Sequence, residues 1–206
     1  MKIALIGGTG SFGTALAVRL HEAGYEVVIG SRDAERARAA AGELGVEGAT
    51  NEDAARAADV VVLTTKADGA VDTARSLRDA IGTTPVLSVA AELSFTKDGV
   101  FPTVEATSIA QRIQAELDGP VIAGLHSLAA SNLGAEVAPD EDTLVCGDDA
   151  DAKALVLELA GTVTSGRAID AGPLASARAL EGMTAVIVNV NKRYKAHAGL
   201  RVTGLH

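Results

Sequence analysis

The opening of the chain constrains its fold more than any other stretch. An apolar run, Ile3 to Ile6, stops at Gly7-Gly8-Thr9-Gly10-Ser11-Phe12-Gly13, and Leu16, Leu20 and Ala23 then follow at helical spacing. A strand that passes through G-x-G-x-x-G directly into a helix is the first unit of a parallel sheet with helical crossovers. Gly8 permits the tight turn, Gly10 lets the backbone approach a pyrophosphate without interference from a Cβ, and Gly13 lets the helix lie close on the sheet. The first turn of that helix offers free N–H groups and a positive dipole end, so an anion is expected there. Thr9 and Ser11 add hydroxyl contacts, and Phe12 sits in the same loop.

Strand and helix patterns keep alternating. Glu26–Ile29, Val60–Leu63 and Pro85–Val89 read as strands, with helices predicted over Asp33–Leu44 (Asp33 as its cap), Asn51–Ala58 and Asp68–Ile81. Leu93–Pro102 holds Gly99 and Pro102 and reads as an irregular loop, followed by an amphipathic helix over Val104–Leu117 and a strand at Pro120–Leu125. Beyond it come a short helix at Ser127–Gly134, strands at Thr143–Cys146 and Ala168–Ile169, a helix capped by Asp148 or Asp149, and a long terminal helix from Leu174 to about Lys195. The expected fold is α/β, a Rossmann-type doubly wound parallel sheet with a smaller C-terminal α/β lobe. The expected division is a dinucleotide-binding part, 1–125, and a C-terminal lobe, 126–206, the two sharing one core.

The second strand identifies the dinucleotide. A site for NAD ends this strand with Asp or Glu, which hydrogen-bonds the ribose 2′-hydroxyl. Here it ends Ile29-Gly30-Ser31-Arg32. A carboxylate would repel a 2′-phosphate dianion, whereas a guanidinium meets it with paired charge-assisted hydrogen bonds. Ser31 supplies a short donor, and Arg36 reaches back from the next helix. NADP(H) is therefore the expected ligand.

Composition excludes other classes. The net charge of −9 opposes binding to nucleic acid or to an anionic membrane. Aromatic residues make up 2% of the chain, too few for a platform that stacks single-stranded bases. No run approaches the ~20 apolar residues of a membrane span, and no secretory pattern opens the chain, so the cytoplasm is the expected location. The single cysteine, Cys146, excludes a disulfide framework and reads as a buried, inert thiol. Asp148-Asp149 reads as a helix cap, and His21, His197 and His206 form no recognisable ligand set, so no metal is expected. The charge is uneven: Arg178, Lys192, Arg193, Lys195 and Arg201 stand in a terminal stretch whose one acid is Glu181. That tail is either a solvated helix or a holder of anionic ligand.

Several segments together resemble the NADPH-dependent coenzyme F420 reductases. They are Gly7–Gly13, the strand end Val27–Arg32 (VVIGSR), the loop Leu93–Pro102 (LSFTKDGVFP), Ala171–Thr184 (AGPLASARALEGMT) and the terminal Asn191–Leu205 (NKRYKAHAGLRVTGL), the last being the most specific. The resemblance covers nearly the whole length. It implies reversible hydride transfer between NADPH and the deazaflavin ring of coenzyme F420, in a homodimer. It also implies a nicotinamide site around Thr64, Thr65, Lys66, Ser88, Val89 and Ala90. The deazaflavin site it implies lies near His126, Ser127 and Leu128, with Arg178, Thr184 and Glu181 contributing from the terminal helix.

Thr64-Thr65-Lys66-Ala67 and Val89-Ala90-Ala91 depart from the family's usual residues beside the nicotinamide. On this ground an NADPH-dependent reductase of an imine, ketone or flavin stays open, and because binding and turnover share the same glycine loop, so does a non-catalytic NADP-binding regulator. Hydride transfer needs no protein nucleophile, so no catalytic triad is expected. His126, at a strand's carboxyl end, is the candidate side chain beside the rings, or else a structural histidine.

Overall fold

A computed structural model describes residues 1–205; His206 lies outside the described residues. The first unit is β1 (Lys2–Ile6), α1 (Ser11–Glu22), β2 (Glu26–Ser31), α2 (Ala34–Leu44), β3 (Glu47–Thr50), α3 (Asn51–Arg56) and β4 (Val60–Leu63). There follow α4 (Ala67–Ser76), α5 (Arg78–Ile81), β5 (Val86–Ser88), β6 (Leu93–Thr96), β7 (Gly99–Pro102), α6 (Ile109–Gln114) and β8 (Val121–Gly124). The chain continues through α7 (Ala130–Leu133), β9 (Thr143–Gly147), α8 (Ala150–Thr162), β10 (Ala168–Asp170), a 3₁₀ turn at Leu174–Ser176 and α9 (Ala177–Tyr194).

Eight strands form one sheet in the order β10-β9-β8-β5-β4-β1-β2-β3. Six of them, β3 to β8 in spatial order, are parallel, and β9 pairs antiparallel with β8. β10 then runs parallel to β9, so the same sheet continues past residue 125. The central strands are buried on both faces because helices cover both, and their residues split by alternation. Ala4, Ile6, Val61, Leu63, Val86 and Val121 face one aliphatic core. Ile3, Leu5, Val60, Val62, Leu87 and Ile122 face the other.

Local signals place the helix ends. Asp33 accepts from the Glu35 and Arg36 N–H groups, and Thr50 from that of Asp53. Ser108 and Gln111 form a reciprocal capping box on α6, and Asp149 accepts from the Ala152 N–H to cap α8.

The structure differs from the sequence reading at four places. β3 is a polar edge strand that the sequence does not announce. The Asp68–Ile81 helix breaks at Leu77, whose backbone leaves the helical region at φ −105, ψ 6. α6 starts only at Ile109, where the capping box sits, so Val104 to Thr107 stay outside it. The segment Leu93–Pro102 is an antiparallel hairpin, because Gly99 adopts φ +144 at its turn and Pro102 lies at its end.

The terminal segment straps the start of β9. The Asp142 N–H donates to the Leu200 carbonyl at 2.7 Å, and the Asp142 carboxylate accepts from the Val202 N–H at 2.8 Å. The Arg167 guanidinium beside Asp142 and that backbone N–H hold its carboxyl far below the usual carboxylate range.

Candidate functional site

The glycine loop joins β1 to α1 at the carboxyl edge of the parallel strands. The Gly8 N–H reaches the carbonyls of Leu5 (3.0 Å) and Gly30 (3.1 Å), tying the loop to β1 and β2. A Cβ on Gly13 would lie 2.6 Å from the Gly8 backbone, so close packing alone demands a glycine there. Gly10 is different: a Cβ on it would meet nothing within 4 Å. Gly10 is also the cap residue of α1, no side chain caps the helix, and no acid stands in its first turn. An uncapped helix start with positive potential and clear backbone fits a diphosphate. Thr9 and Ser11 flank it. Asn51, which the sequence reading passes over, is buried and accepts from the Gly7 N–H at 3.2 Å, propping the loop from α3.

At the end of β2, the buried Ser31 Oγ accepts from the Asp33 N–H at 3.2 Å. The nearby acid, Asp33, is committed to capping α2. Arg32 and Arg36 are exposed, and neither is in an ion pair among the described residues. Two exposed arginines with no ion pair, following a serine at a strand end, suit an anion.

A cleft of about 540 Å³ opens beside the loop. Phe12 enters it from α1; Thr64, Thr65 and Lys66 follow β4; Val89 and Ala90 follow β5. His126 and Leu128 follow β8, Thr184 comes from the middle of α9, and Phe95 from the hairpin. The Thr64 hydroxyl donates to the Ile6 carbonyl at 2.8 Å, and the buried Thr65 Oγ has no partner. Ser88 is fully buried with an unpartnered Oγ and does not line the cleft. Ser127 turns away from it, its Oγ 3.4 Å from the Asp142 carbonyl.

Leu125, immediately before His126, holds φ +63 although it carries a side chain. A residue bearing a Cβ reaches the left-handed region only where its surroundings fix it. This turn brings His126 to the cleft wall. The residue is 6% exposed, and neither buried ring nitrogen makes a well-formed hydrogen bond. Burial lowers its pKa to about 4, weakly opposed by the Ala90 backbone, so the ring is neutral near physiological pH.

Two further residues of the sequence-predicted site lie elsewhere, besides Ser88 and Ser127. Arg178 donates to the backbone carbonyls of Glu105 (3.0 Å) and Thr103. Glu181 is buried, accepts from the Ala110 N–H at 3.3 Å and caps α6; burial pushes its pKa up to about 6, against the pull of the Ile109 and Ala110 N–H groups. Neither lines the cleft. Cys146 is buried on β9, where desolvation raises its thiol pKa to about 11. Among the described residues, no group of three or more His, Cys, Asp or Glu is placed to hold a metal ion.

Known proteins resemble this chain along its whole length. A family model described as "NADP oxidoreductase coenzyme F420-dependent" matches residues 2–92. The F420-dependent NADP reductase of Methanothermobacter thermautotrophicus is 38% identical over 222 residues, spanning 100% of this chain and 96% of that protein. The F420-dependent NADP reductase of Methanocaldococcus jannaschii is 34% identical over 223 residues, with 100% and 99% covered. A solved structure from Arthrobacter sp. FB24, provisionally assigned as an F420-dependent NADP reductase, superposes with a TM-score of 0.86 at 26% identity, covering 99% of this chain and all of that one.

Proposed function

The chain belongs to the F420-dependent NADP reductase family, and from that premise we infer that it is an oxidoreductase moving hydride reversibly between NADPH and the deazaflavin of coenzyme F420. The observation that carries this is the cleft itself. It gathers the ends of β4, β5 and β8 and the middle of α9 beside an uncapped helix start. Such a place holds two flat rings next to a dinucleotide's diphosphate.

The residues divide the work. The backbone of Gly8, Gly10 and Gly13, with Thr9 and Ser11, holds the diphosphate at the start of α1. Ser31, Arg32 and Arg36 hold the 2′-phosphate. Phe12, Thr64, Thr65, Lys66, Val89 and Ala90 bound the nicotinamide, with Ser88 in the floor beneath. His126, Leu128 and Thr184 bound the deazaflavin. Residues 1–125 thus carry the dinucleotide half, and 126–206 supply much of the second wall.

Once bound, the two rings would supply the hydride chemistry between nicotinamide and deazaflavin. The residues that bound the cleft would stack the rings and exclude water. His126 stays neutral and can donate one hydrogen bond to a ring carbonyl or accept one from a ring N–H. Arg178 and Glu181 support this wall indirectly, by fixing the neighbouring segment 103–110.

The outer face of α9 supports a homodimer. Val186 and Val190 are exposed there, beside an apolar groove of about 540 Å³ floored by Gly182, Met183 and Leu200. No described helix is long and apolar enough to cross a membrane. A cytoplasmic location follows from the reaction, since NADPH is kept inside cells, and the charge of −9 opposes nucleic acid as a partner.

The deciding experiment mixes catalytic protein with NADPH and oxidised coenzyme F420. Bleaching of the visible deazaflavin band is expected. NADPH oxidation that occurs only with an imine, a ketone or a flavin would replace this reading with another acceptor.

A further inference from the structure

The hairpin of β6 and β7 pairs with no strand of the main sheet. Two isolated strands are marginal on their own, yet this hairpin is fixed firmly to α9. One side chain does most of it. The Asn189 Oδ1 accepts from the Val100 N–H at 2.8 Å, and the Asn189 Nδ2 donates to the Val100 carbonyl at 2.7 Å. A single amide therefore satisfies both polar groups of one strand residue, as a neighbouring strand would. Val100 is buried at 1% exposure, and Gly99 leaves room where a Cβ would sit 3.0 Å from the Asn189 Oδ1.

Against this anchoring, Phe95 on the same hairpin is 68% exposed while lining the cleft. The chain has only three phenylalanines, and two of them, Phe12 and Phe95, line this one cleft. The Lys192 ammonium, from the last turn of α9, lies 5.4 Å from the centre of the Phe95 ring. Among the described residues Lys192 is in no ion pair. A phenylalanine ring held in place, with an unneutralised cation over one of its faces, suits a planar ligand that packs against the rest of the ring and carries an anionic arm.

The geometry points to Phe95 and Lys192 as the determinants that select the second substrate, with Asn189 as the residue that positions them. Phe95 packs against the deazaflavin ring, and Lys192 takes an anionic group of its side chain. This rests on the deazaflavin reading above. It assigns the cation for that arm to Lys192 rather than to Arg178, whose guanidinium is spent on Thr103 and Glu105.

The test compares two acceptors in steady state, coenzyme F420 and its tail-less core, 8-hydroxy-5-deazariboflavin. Lys192→Glu should raise the KM for coenzyme F420 about 5- to 20-fold at low salt, with the effect fading toward 0.5 M salt as exposed charges are screened. It should leave the KM for the tail-less core within about two-fold. Phe95→Ala should raise both KM values about 3- to 10-fold, the worth of an aromatic stack. Asn189→Ala should reproduce the Phe95→Ala pattern, and so should Asn189→Asp, which keeps the acceptor for the Val100 N–H but sets a carboxylate oxygen against the Val100 carbonyl in place of the donor. The dissociation constant for NADPH should stay unchanged throughout; a merely structural role for Asn189 would weaken NADPH in parallel. Equal effects of Lys192→Glu on both acceptors, or unchanged KM values in Phe95→Ala, would overturn this assignment while leaving the reductase reading intact. No reduction of either deazaflavin by the unaltered protein would remove both.

Discussion

The Thr184 hydroxyl donates to the His126 carbonyl oxygen at 2.9 Å, joining the middle of α9 to the first residue beyond the strained Leu125. Both residues line the cleft, so the bond fixes its second wall across the fold. Thr184→Val keeps the shape and removes the donor. It should lower kcat/KM for the deazaflavin about 5- to 10-fold, the worth of one hydrogen bond, with NADPH affinity unchanged by calorimetry. Equal losses for both ligands would mean that the bond supports the whole site.

On the proposed site, Arg32 and Arg36 are the residues that distinguish NADPH from NADH. Arg32→Ala should weaken NADPH about 10- to 100-fold through loss of charge-assisted bonds, while NADH changes little. Titration of both dinucleotides against the variant checks this. A matching loss for NADH would remove Arg32 from the 2′-phosphate.

Gly10 and Gly13 should part company. Gly10→Val adds a side chain where the protein offers nothing to meet it. Its melting temperature should hold while NADPH binding falls by at least about 10-fold, the cost of blocking the backbone's approach to the phosphates. Gly13→Ala forces a Cβ against the Gly8 backbone and should cost about 1–3 kcal/mol of stability as an overpacking change. Thermal melts with and without NADPH separate the two effects.

His126 and Glu181 act on stability in opposite directions over overlapping pH windows. His126 has its folded pKa lowered from 6.5 to about 4, so the unfolded chain takes up a proton that the folded chain refuses. Its effect is to reduce stability progressively as pH falls from 6.5 toward 4, by up to about 3 kcal/mol. Glu181 is raised from 4.5 to about 6, so the stability it contributes is present below pH 4.5 and lost as pH rises through about 6. His126→Asn should flatten the acid limb of a denaturant-stability profile. Glu181→Gln, which retains an oxygen for the α6 N–H groups, should gain about 2 kcal/mol near pH 8. An unaltered profile in either variant would contradict the corresponding burial effect.

The sequence announces much of this fold because its central strands are short, continuous apolar runs bounded by polar residues or glycine. Ile3–Ile6 and Val60–Leu63 are both fully buried, and no other element type fits runs so short. β3 is silent because Glu47–Thr50 is a half-exposed edge with no apolar alternation. The hairpin hides behind Gly99 and Pro102, two residues that usually end structure and here shape a turn and an edge. β9 reads as a strand, but its reversed direction depends on where the chain returns, which no local pattern encodes.

The site follows the same division. Positions at strand ends, such as Thr64, Ala90 and His126, can be placed once the strands are known, because ligands gather at that edge of such sheets. Arg178 and Glu181 fall on a helix, and sequence does not say which of its faces meets the cleft. Thr184 does, whereas Arg178 and Glu181 turn to the segment 103–110. Asn51 and Asn189 matter through the backbone groups they satisfy, and an isolated asparagine carries no signal of that kind.

The reversal at β9 has a practical side. Since β9 and β10 begin where the other strands finish, the connections 7–11, 31–34, 64–67, 89–108, 125–142 and 163–167 all emerge on a single rim. The opposite rim, with its tight turns at Gly24, Gly45, Gly82 and Gly119, carries none of the residues assigned to the proposed site. A surface tether or a fused electron-supplying enzyme attached there would leave the doorway for both reactants facing solvent.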